Sequence, residues 1–208
     1  MTFYRFARAV VLSAFKVIFR VRVVGMENVP KSGVYIVAPS HRSNLDVPFA
    51  AFVTKRDIRF LAKQELFTPG FGETFFNWLG AIPVERGTAD RSAMRSIEEA
   101  LVGGSIVGLF PEGTRKRGPE IDDLFDGTSY LAVKLGVPIL PVGIGGSEAI
   151  LAKGKKIPRL HRVVVSVGRP VVPPVLEGRA KRAAAAKLTE ELHAELQRVF
   201  TDAERLSR

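Results

Sequence analysis

Short apolar runs alternate along the chain with segments of helical spacing. The apolar runs are bounded by turn-forming residues, which is typical of buried strands. They lie at 21–24, 34–38, 58–62, 80–86, 105–110, 137–144 and 162–167. Segments whose apolar residues recur every three or four positions predict helices. These lie at 2–20, 47–53, 74–79, 91–102, 124–135 and 179–206. Strands that alternate with helices indicate a single α/β domain, with a mixed, largely parallel sheet flanked by helices.

The first predicted helix differs from the others in its charge pattern. Projected at 100° per residue, Arg5, Arg8, Lys16 and Arg20 fall within an arc of roughly 120°, and phenylalanine and valine fill much of the rest. This pattern favours an amphipathic helix that lies in the plane of a membrane. The alternative is a helix that packs on the core with solvated charges. We therefore divide the chain into a membrane-associating helix, 1–20, and one folded domain, 21–208.

The N-terminal region does not match a membrane-spanning helix or a signal peptide. No run reaches the roughly 18 apolar residues that a spanning helix needs. Lys16, Arg20 and Arg22 interrupt the apolar stretch, and no small-residue cleavage site follows them.

The composition points to an anionic partner. The 208 residues include 31 Lys+Arg and 21 Asp+Glu, a formal net charge of +10. This favours a phosphate-bearing substrate, an acidic membrane surface or nucleic acid. The 14 phenylalanines lie mostly in apolar runs, not interleaved with arginine as a stacking platform, so we expect no nucleic acid partner. With no cysteine, the chain has no disulfide, thiolate metal site or cysteine nucleophile.

The segment Ser40–Asp46 lies at a strand-to-helix corner, where α/β proteins usually build their sites. A separation of five residues on one helix would point His41 and Asp46 apart by about 140°. Asp46 therefore reaches His41 only if the histidine lies on the loop and the aspartate in the first helical turn. A carboxylate could then hold one imidazole nitrogen while the other acts as a general base. The alternative is a loop histidine beside a capping aspartate.

Other polar residues follow the predicted strands. They are Lys63, Arg86 and the corner Glu112-Gly113-Thr114-Arg115. If these strand ends meet at one sheet edge, they form a cleft with one base, one carboxylate and three cations. The two arginines offer planar forks for phosphate oxygens, and Gly113 lets backbone N–H groups approach a ligand. For each residue alone, surface solvation is the alternative.

A competing motif is Gly145-Gly146-Ser147-Glu148-Ala149. It is similar to a nucleophile elbow, with Ala149 in place of the second glycine. A hydrolase of this kind would need an acid and a histidine downstream, such as Glu177 and His193. Because His193 lies in a charge-rich helix and is expected to be exposed, we do not favour this hypothesis.

Four sequence blocks together resemble the glycerolipid acyltransferases, of the 1-acylglycerol-3-phosphate acyltransferase type. They are His41-x-x-x-x-Asp46, Gly80-x-Ile82-Pro83-x-x-Arg86, Phe110-Pro111-Glu112-Gly113-Thr114-Arg115 and Val137-Pro138-Ile139-Leu140-Pro141. The blocks span residues 40 to 142. The first block alone is a weak signal, and its combination with the third is highly specific.

The resemblance implies a role for each site residue. His41 would take the proton of the acceptor hydroxyl, and Asp46 would orient and charge-stabilise the imidazole. The alkoxide would attack an acyl thioester directly, without an acyl-enzyme. Arg86 and Lys63 would bind the acceptor phosphate. The remaining acceptor-binding residues would be Glu112, Gly113, Thr114 and Arg115.

The resemblance also implies the reaction and the partners. The expected enzyme is an O-acyltransferase that converts lysophosphatidic acid to phosphatidic acid in phospholipid synthesis. Its acyl donor would be acyl-CoA or an acyl-carrier protein, with no metal and no other cofactor. We expect it on the cytoplasmic face of the cell membrane, peripheral or monotopic on an anionic surface. The alternatives are another acceptor, such as glycerol 3-phosphate or a lysophospholipid, and a non-catalytic protein that binds anionic membranes.

Overall fold

The computed structural model describes residues 2–64, 69–70, 81–84, 91–151, 154, 157–174 and 181–208. The strands of this part are β1 (Arg22–Val24), β2 (Ile36–Pro39), β3 (Ile58–Lys63), β4 (Ile82–Val84), β5 (Ile106–Gly108), β6 (Ile139–Gly145) and β7 (Val164–Val167). Its α-helices are α1 (Thr2–Ile18), α2 (Asp46–Ala50), α3 (Arg91–Val102), α4 (Gly127–Leu135), α5 (Ser147–Leu151) and α6 (Lys181–Ser207). The predicted helix at 74–79 lies outside the described residues.

The seven described strands form one sheet in the order β1-β7-β6-β2-β5-β3-β4. Strands β6, β2, β5, β3 and β4 run parallel, β7 is antiparallel to β6, and β1 is parallel to β7. The prediction of a mixed, largely parallel sheet flanked by helices is therefore confirmed. We call the edge where the five parallel strands end, and where β7 and β1 begin, the carboxyl edge. The opposite edge is the amino edge.

Strand β2 is buried on both faces, which explains its uninterrupted apolar sequence. Tyr35 and Val37 join a core cluster that includes Phe15 of α1 and Phe49 of α2. Residues of opposite parity, such as Ile36, face a second cluster with side chains from α3, α4 and α6. Two layers of helices thus enclose the sheet, with α1 and α2 on one face.

Helix α6 packs more closely on the sheet than its charge pattern suggests. A Cβ atom added at Gly143 would lie 2.3 Å from the carbonyl oxygen of Val199, and one at Gly145 would lie 2.2 Å from the Ala203 backbone. Glycine at both positions of β6 therefore lets the helix backbone approach the strand. Among the described residues, no helix combines the length and apolar character that crossing a membrane requires.

Two predicted helices differ from the structure at their ends. The helix predicted at 47–53 is α2 followed by a 3-10 turn at Ala51–Val53, and the helix predicted from 124 begins at Gly127. Helix ends are set by capping and tertiary contacts, which periodicity does not encode. The predicted stop at Gly136 is confirmed, since this residue caps α4 in the left-handed conformation with φ +67°.

Candidate active site

The loop that follows β2, residues 40–45, is fixed to the neighbouring strand β6. The Ser40 N–H donates to the Val142 carbonyl at 2.9 Å, and the Ser40 Oγ accepts from the Ile144 N–H at 3.0 Å. Ser43 Oγ donates to the Leu151 carbonyl at 2.9 Å. We call residues 40–45 the catalytic loop. Its anchors hold His41 at the carboxyl edge, immediately beyond the end of a buried strand.

Asp46 begins α2 and turns its carboxylate back to the catalytic loop. Its Oδ2 accepts the N–H groups of Arg42 and Ser43, both at 2.6 Å, and lies 3.0 Å from His41 Nδ1. The side chain is fully buried, and Oδ1 has no hydrogen-bond partner. Three N–H donors on a single oxygen compensate for the desolvation of this carboxylate. Loop and first helical turn thus place His41 and Asp46 in the contact that their spacing allows.

The contact with Asp46 defines the chemistry that His41 can perform. Because Oδ2 is an acceptor, Nδ1 carries a proton, and Nε2 retains the lone pair that a general base needs. The imidazole stacks on Phe110, with ring centroids 3.9 Å apart and an interplanar angle of 25°. The side chain is 17% exposed, so the ring is held on two sides and still reaches the surface.

A buried ion pair lies behind the catalytic loop. The Arg42 guanidinium donates from one nitrogen, Nη1, to both Glu112 oxygens, at 2.9 and 2.8 Å. Glu112 Oε1 also accepts the His41 N–H at 2.8 Å. Both side chains are fully buried. Glu112 is therefore linked directly to the backbone of the residue that carries the imidazole.

Arg42 uses its other donors to hold the segment that follows Glu112. Its Nε donates to the Gly118 carbonyl at 3.1 Å, and its Nη2 donates to the Glu120 carbonyl at 2.7 Å. The guanidinium carbon lies 4.6 Å from the Phe200 ring centroid on α6. One cation thus joins the catalytic loop, the segment at 112–120 and the C-terminal helix. A fully buried cation of this kind requires such a complete set of partners.

An open cleft of about 510 Å³ lies beside the catalytic loop and is lined by Arg115, Lys116, Arg117 and Gly154. The Lys116 N–H donates to the His41 carbonyl at 2.9 Å, which fixes the basic segment to the loop. Lys116 Nζ pairs with Asp122 at 2.7 Å. This hydrogen bond holds the pKa of the Asp122 carboxyl below its ordinary value, so part of the cleft's positive charge is balanced.

Residues 20–145 match the profile of the family described as Acyltransferase. This segment covers more than half of the chain and contains both His41 with Asp46 and the Arg42–Glu112 pair. The chain belongs to this acyltransferase family. The prediction of an O-acyltransferase is thereby confirmed.

Individual relatives agree with the family assignment. The 1-acyl-sn-glycerol-3-phosphate acyltransferase of Bacillus subtilis is 28% identical over 152 residues, which are 73% of this chain and 73% of that protein. The 1-acyl-sn-glycerol-3-phosphate acyltransferase alpha of Ovis aries is 30% identical over 155 residues, 73% of this chain and 54% of the relative. This chain thus spans about half the length of the Ovis aries relative.

A solved structure shows the same fold. The crystal structure of the 1-acyl-sn-glycerophosphate (LPA) acyltransferase PlsC from Thermotoga maritima superimposes with a TM-score of 0.68 at 28% identity. The match covers 90% of this chain and 80% of that chain. The similarity therefore extends over most of the fold.

The acyltransferase brings only some of the predicted site residues together. Gly113 follows Glu112 with φ +67°, and both Gly113 and Thr114 are exposed, while Arg115 is half-buried in the cleft lining. Glu112 is buried behind the loop, so its predicted contact with the acceptor stays a prediction. The backbone of Lys63 ends β3 at the carboxyl edge, where the sequence predicted this residue. Its side chain and the whole of Arg86 lie outside the described residues.

Sequence reasoning assigned no role to Arg42 or Phe110, although both touch the catalytic histidine or its network. A charged residue directly after the histidine, in a segment predicted to enter a buried helix, was the available signal for Arg42. The charge of Arg42 is opposite in sign to that of Glu112 in the third block. The stacking of Phe110 had no local signal, because it depends on β5 lying next to β2.

The competing nucleophile elbow is not supported by the described geometry. Ser147 begins α5 and is fully buried. His193 Nε2 lies 2.9 Å from the Ile121 carbonyl oxygen, and the residue is half-buried, so the expectation that it is exposed was wrong. Helix α6 turns this histidine to the loop at 121 rather than to solvent. Glu177, the suggested acid, lies outside the described residues.

Proposed function

We propose that this acyltransferase transfers an acyl chain from an acyl thioester to the free hydroxyl of 1-acylglycerol 3-phosphate, giving phosphatidic acid for phospholipid synthesis. The observation that carries the proposal is the contact between His41 Nδ1 and Asp46 Oδ2 at 3.0 Å, on a loop at the carboxyl edge. The names of the Bacillus subtilis and Ovis aries relatives supply the acceptor. Acyl-CoA and an acyl-carrier protein remain the two candidate donors.

His41 is the general base of the proposed mechanism. Its Nε2 accepts the proton of the acceptor hydroxyl while the hydroxyl oxygen attacks the thioester carbonyl carbon. Asp46 keeps the Nδ1 proton in place and stabilises the imidazolium that forms. The carbon–sulfur bond then breaks, and the thiolate leaves with the proton returned from His41. The proton taken from the hydroxyl ends on the leaving thiol, and the electron pair of the carbon–sulfur bond stays on the sulfur, so the step needs no other reactant.

Direct transfer fits the nucleophiles that the chain offers. The sequence has no cysteine, and Ser147 is fully buried. A thioester is activated enough for attack by a hydroxyl that is positioned next to a base. We therefore propose a single acyl transfer step with no acyl-enzyme.

The acceptor phosphate is assigned to cations at the carboxyl edge. Arg115 lines the open cleft next to Lys116, whose backbone is hydrogen-bonded to His41, and Lys63 ends a strand at the carboxyl edge. We include Arg86 from its position in the second sequence block. Arginine forks match phosphate oxygens, so these residues distinguish a phosphate-bearing acceptor from a neutral one.

The test is an acyl transfer assay with purified protein. Oleoyl-CoA and oleoyl-acyl-carrier protein are each offered with lysophosphatidic acid, glycerol 3-phosphate and a lysophospholipid in turn. We expect the highest kcat/KM with lysophosphatidic acid and a loss of about 10²–10⁴-fold in the His41→Ala variant. His193→Ala is the matched control, because this histidine contacts a remote carbonyl. Wild-type turnover by folded His41→Ala, or preference for another acceptor, would contradict the proposal.

We further propose that α1 associates with the cytoplasmic face of the membrane. Phe15 and Phe19 pack against Phe49, so one face of the helix is docked on the domain. Arg8, which belongs to the predicted basic stripe, donates to the carbonyls of Ala51, Thr54 and Lys55. The contacts of this docked face agree with the alternative interpretation, in which the helix packs on the core.

A second face of α1 stays exposed and apolar. It consists of Val10, Val11, Ala14, Val17 and Ile18, which fall within an arc of about 120° on the helix. Arg20, which follows the helix, is also exposed. An exposed apolar stripe that ends next to a cation supports contact with an anionic lipid surface. Because Phe15 belongs to the core, serine substitutions at Val10 and Val17 test this contact better than deletion of the helix.

A further inference from the structure

The loop between α5 and β7 exposes two large aliphatic side chains. Ile157 is 81% exposed and Leu160 is 79% exposed, in the sequence Ile157-Pro158-Arg159-Leu160-His161-Arg162. A single exposed aliphatic residue is ordinary in a folded protein. Two within four residues, with an arginine between them, form a small apolar tip that the fold leaves uncovered. We call residues 157–162 the β6–β7 tip.

Backbone hydrogen bonds hold the tip against the rest of the domain. The Arg159 N–H donates to the Ile150 carbonyl at 2.8 Å, and the Val163 N–H donates to the Phe19 carbonyl at 3.0 Å. These two anchors lie on either side of Leu160, and Ile157 lies two residues before the first of them. Both side chains are exposed although the backbone at 159 and 163 is held by hydrogen bonds.

Topology places the tip at the carboxyl edge, together with the active site. Strand β6 runs parallel to β2, which leads to His41, and β7 returns antiparallel to β6. The connection between β6 and β7 therefore lies at the edge where β2 ends. The hydrogen bond between Ser43 Oγ and the Leu151 carbonyl joins α5, which precedes the tip, to the catalytic loop.

The exposed face of α1 continues into the same region. Strand β1 is parallel to β7, so it also begins at the carboxyl edge, and α1 ends just before it. The Phe19–Val163 hydrogen bond connects the two segments directly. Ile18 directly precedes Phe19, and the tip directly precedes Val163. The tip thus extends an apolar surface that α1 begins.

The charge of this region matches an anionic surface. Between Glu148 and Glu177 the sequence has no acidic residue, while Lys153, Lys155, Lys156, Arg159 and Arg162 are basic. Arg159 lies between the two exposed aliphatic residues, and Arg162 ends the tip. Basic residues in and next to an exposed apolar tip favour anionic lipid headgroups, with the aliphatic side chains inserted below them. Charge and apolar exposure therefore indicate the same partner.

We propose that the β6–β7 tip is a second membrane contact, in which Ile157 and Leu160 insert into an anionic lipid surface beside the active site. Together with α1, it orients the carboxyl edge to the membrane, so a lipid acceptor reaches His41 from the bilayer. The purpose of this contact rests on the proposed lipid acceptor. Its test does not, because binding to vesicles is measured without substrate.

The structure offers a matched pair of substitutions for the test. Val102 at the end of α3 is 73% exposed and Val172 after β7 is 68% exposed. Both lie at the amino edge, because α3 leads into the start of β5 and Val171 pairs with the start of β6. The variant Ile157→Ser with Leu160→Ser and the control Val102→Ser with Val172→Ser remove similar apolar groups from opposite edges.

Co-sedimentation of the full chain is measured with vesicles of phosphatidylcholine and phosphatidylglycerol at a ratio of three to one. We expect about 10- to 100-fold weaker binding for the tip variant and less than about threefold for the control. Equal binding by both variants would overturn the proposal. So would unchanged vesicle binding by the tip variant together with a raised KM for an acyl-carrier-protein donor, because the tip would then dock that protein.

A second readout does not depend on the stability of the double variants. Since the chain has no cysteine, Leu160→Cys and Val102→Cys can each be labelled with one environment-sensitive fluorophore. On vesicle binding we expect a blue shift at position 160 and none at position 102. Labels that remain in water at both positions would contradict insertion. Acyl transfer to a monomeric short-chain lysophosphatidic acid is expected to be unchanged in the tip variant. If wild type and all variants lack this activity, the result counts only against the proposed reaction.

Discussion

The Arg42–Glu112 pair under the catalytic loop and the Arg198–Glu195 pair on α6 have similar geometry and opposite surroundings. Their shortest ion-pair distances are 2.8 and 2.6 Å. The side chains of the first pair are fully buried, whereas those of the second are 53% and 20% exposed. The first joins segments that are 70 residues apart, and the second joins neighbouring turns of one helix.

The difference shows what an ion pair contributes in each setting. On α6, water screens the charges and solvates either partner if the other is removed. Under the catalytic loop, no water replaces a lost partner, so the remaining charge is left in a medium of low dielectric constant. The buried pair therefore fixes the position of the His41 backbone more than it adds net stability. The exposed pair on α6 contributes little to backbone position or to net stability.

The largest effect is expected when one partner of the buried pair is removed. In Arg42→Met, the Glu112 carboxylate loses its cation, and the Gly118 and Glu120 carbonyls lose their donor. We expect the free energy of unfolding to fall by about 3–5 kcal/mol, with acyl transfer lost. Chemical denaturation measures the first quantity and the oleoyl-CoA assay the second.

The matched control for this substitution neutralises the orphaned charge. Glu112→Gln in the Arg42→Met background removes the buried charge and keeps an oxygen for the His41 N–H. We expect the double variant to recover part of the lost stability but not the activity. An Arg42→Met protein that loses less than about 1 kcal/mol would show that the two regions do not differ as argued.

Asp46→Asn tests the charge of the buried network while nearly preserving its shape. The amide oxygen can still accept the Arg42 and Ser43 N–H groups, but a neutral group no longer stabilises an imidazolium at His41. Hydrogen bonds to a charged group are worth about 1.5–3 kcal/mol, so we expect a moderate loss of stability. We expect kcat to fall by about 10²-fold or more. Unchanged kcat in a folded protein would remove Asp46 from the mechanism.

A smaller perturbation of the same region is Gly113→Ala. At φ +67°, an added Cβ would be strained, and it would also lie 2.6 Å from the Phe125 ring. We expect a loss of about 1–2 kcal/mol in chemical denaturation. Gly118→Ala is the control, because its φ is +83° and nothing lies within 4 Å of the added atom. If both variants lose the same stability, backbone strain alone accounts for the effect and the ring moves freely.

The smallest effect is expected on α6. Arg198→Ala removes contacts to Glu195 and Asp202 on an exposed surface. We expect the free energy of unfolding to fall by less than about 1 kcal/mol, and by less again at high salt. A loss as large as that of Arg42→Met would mean that the surroundings of an ion pair do not decide its contribution.

The same variant has a pH signature. The hydrogen bond from Arg198, with a further one from the Arg169 N–H, holds the pKa of Glu195 below its ordinary value. A depressed carboxyl pKa contributes stability above the unfolded-state pKa, and this contribution disappears as pH falls through the lowered value. The stability difference between wild type and Arg198→Ala should therefore shrink in acid. An NMR titration of Glu195 should show a higher pKa in the variant.

Local sequence patterns were enough to predict the order of the elements and a candidate site at the corner that contains His41 and Asp46. Apolar runs and helical spacing are local, and so is the left-handed glycine that ends α4 at Gly136. The five-residue spacing of His41 and Asp46 predicted their contact on the condition that a loop precedes the first helical turn, and the structure meets this condition. Four motifs in order were specific enough to indicate the family. None of these inferences required knowing which strands are neighbours.

The support of the catalytic pair depends on contacts between segments that are distant in the sequence. The order β6-β2-β5 puts the Glu112 corner beside the catalytic loop, and α6 then covers Arg42 with Phe200. The same order brings Phe110 onto the imidazole and the β6–β7 tip to the edge of the active site. Sequence periodicity shows that a residue is buried or exposed, but not which distant residue meets it. Arg42 therefore received no role from sequence patterns, although its guanidinium joins the catalytic loop, the segment at 112–120 and α6.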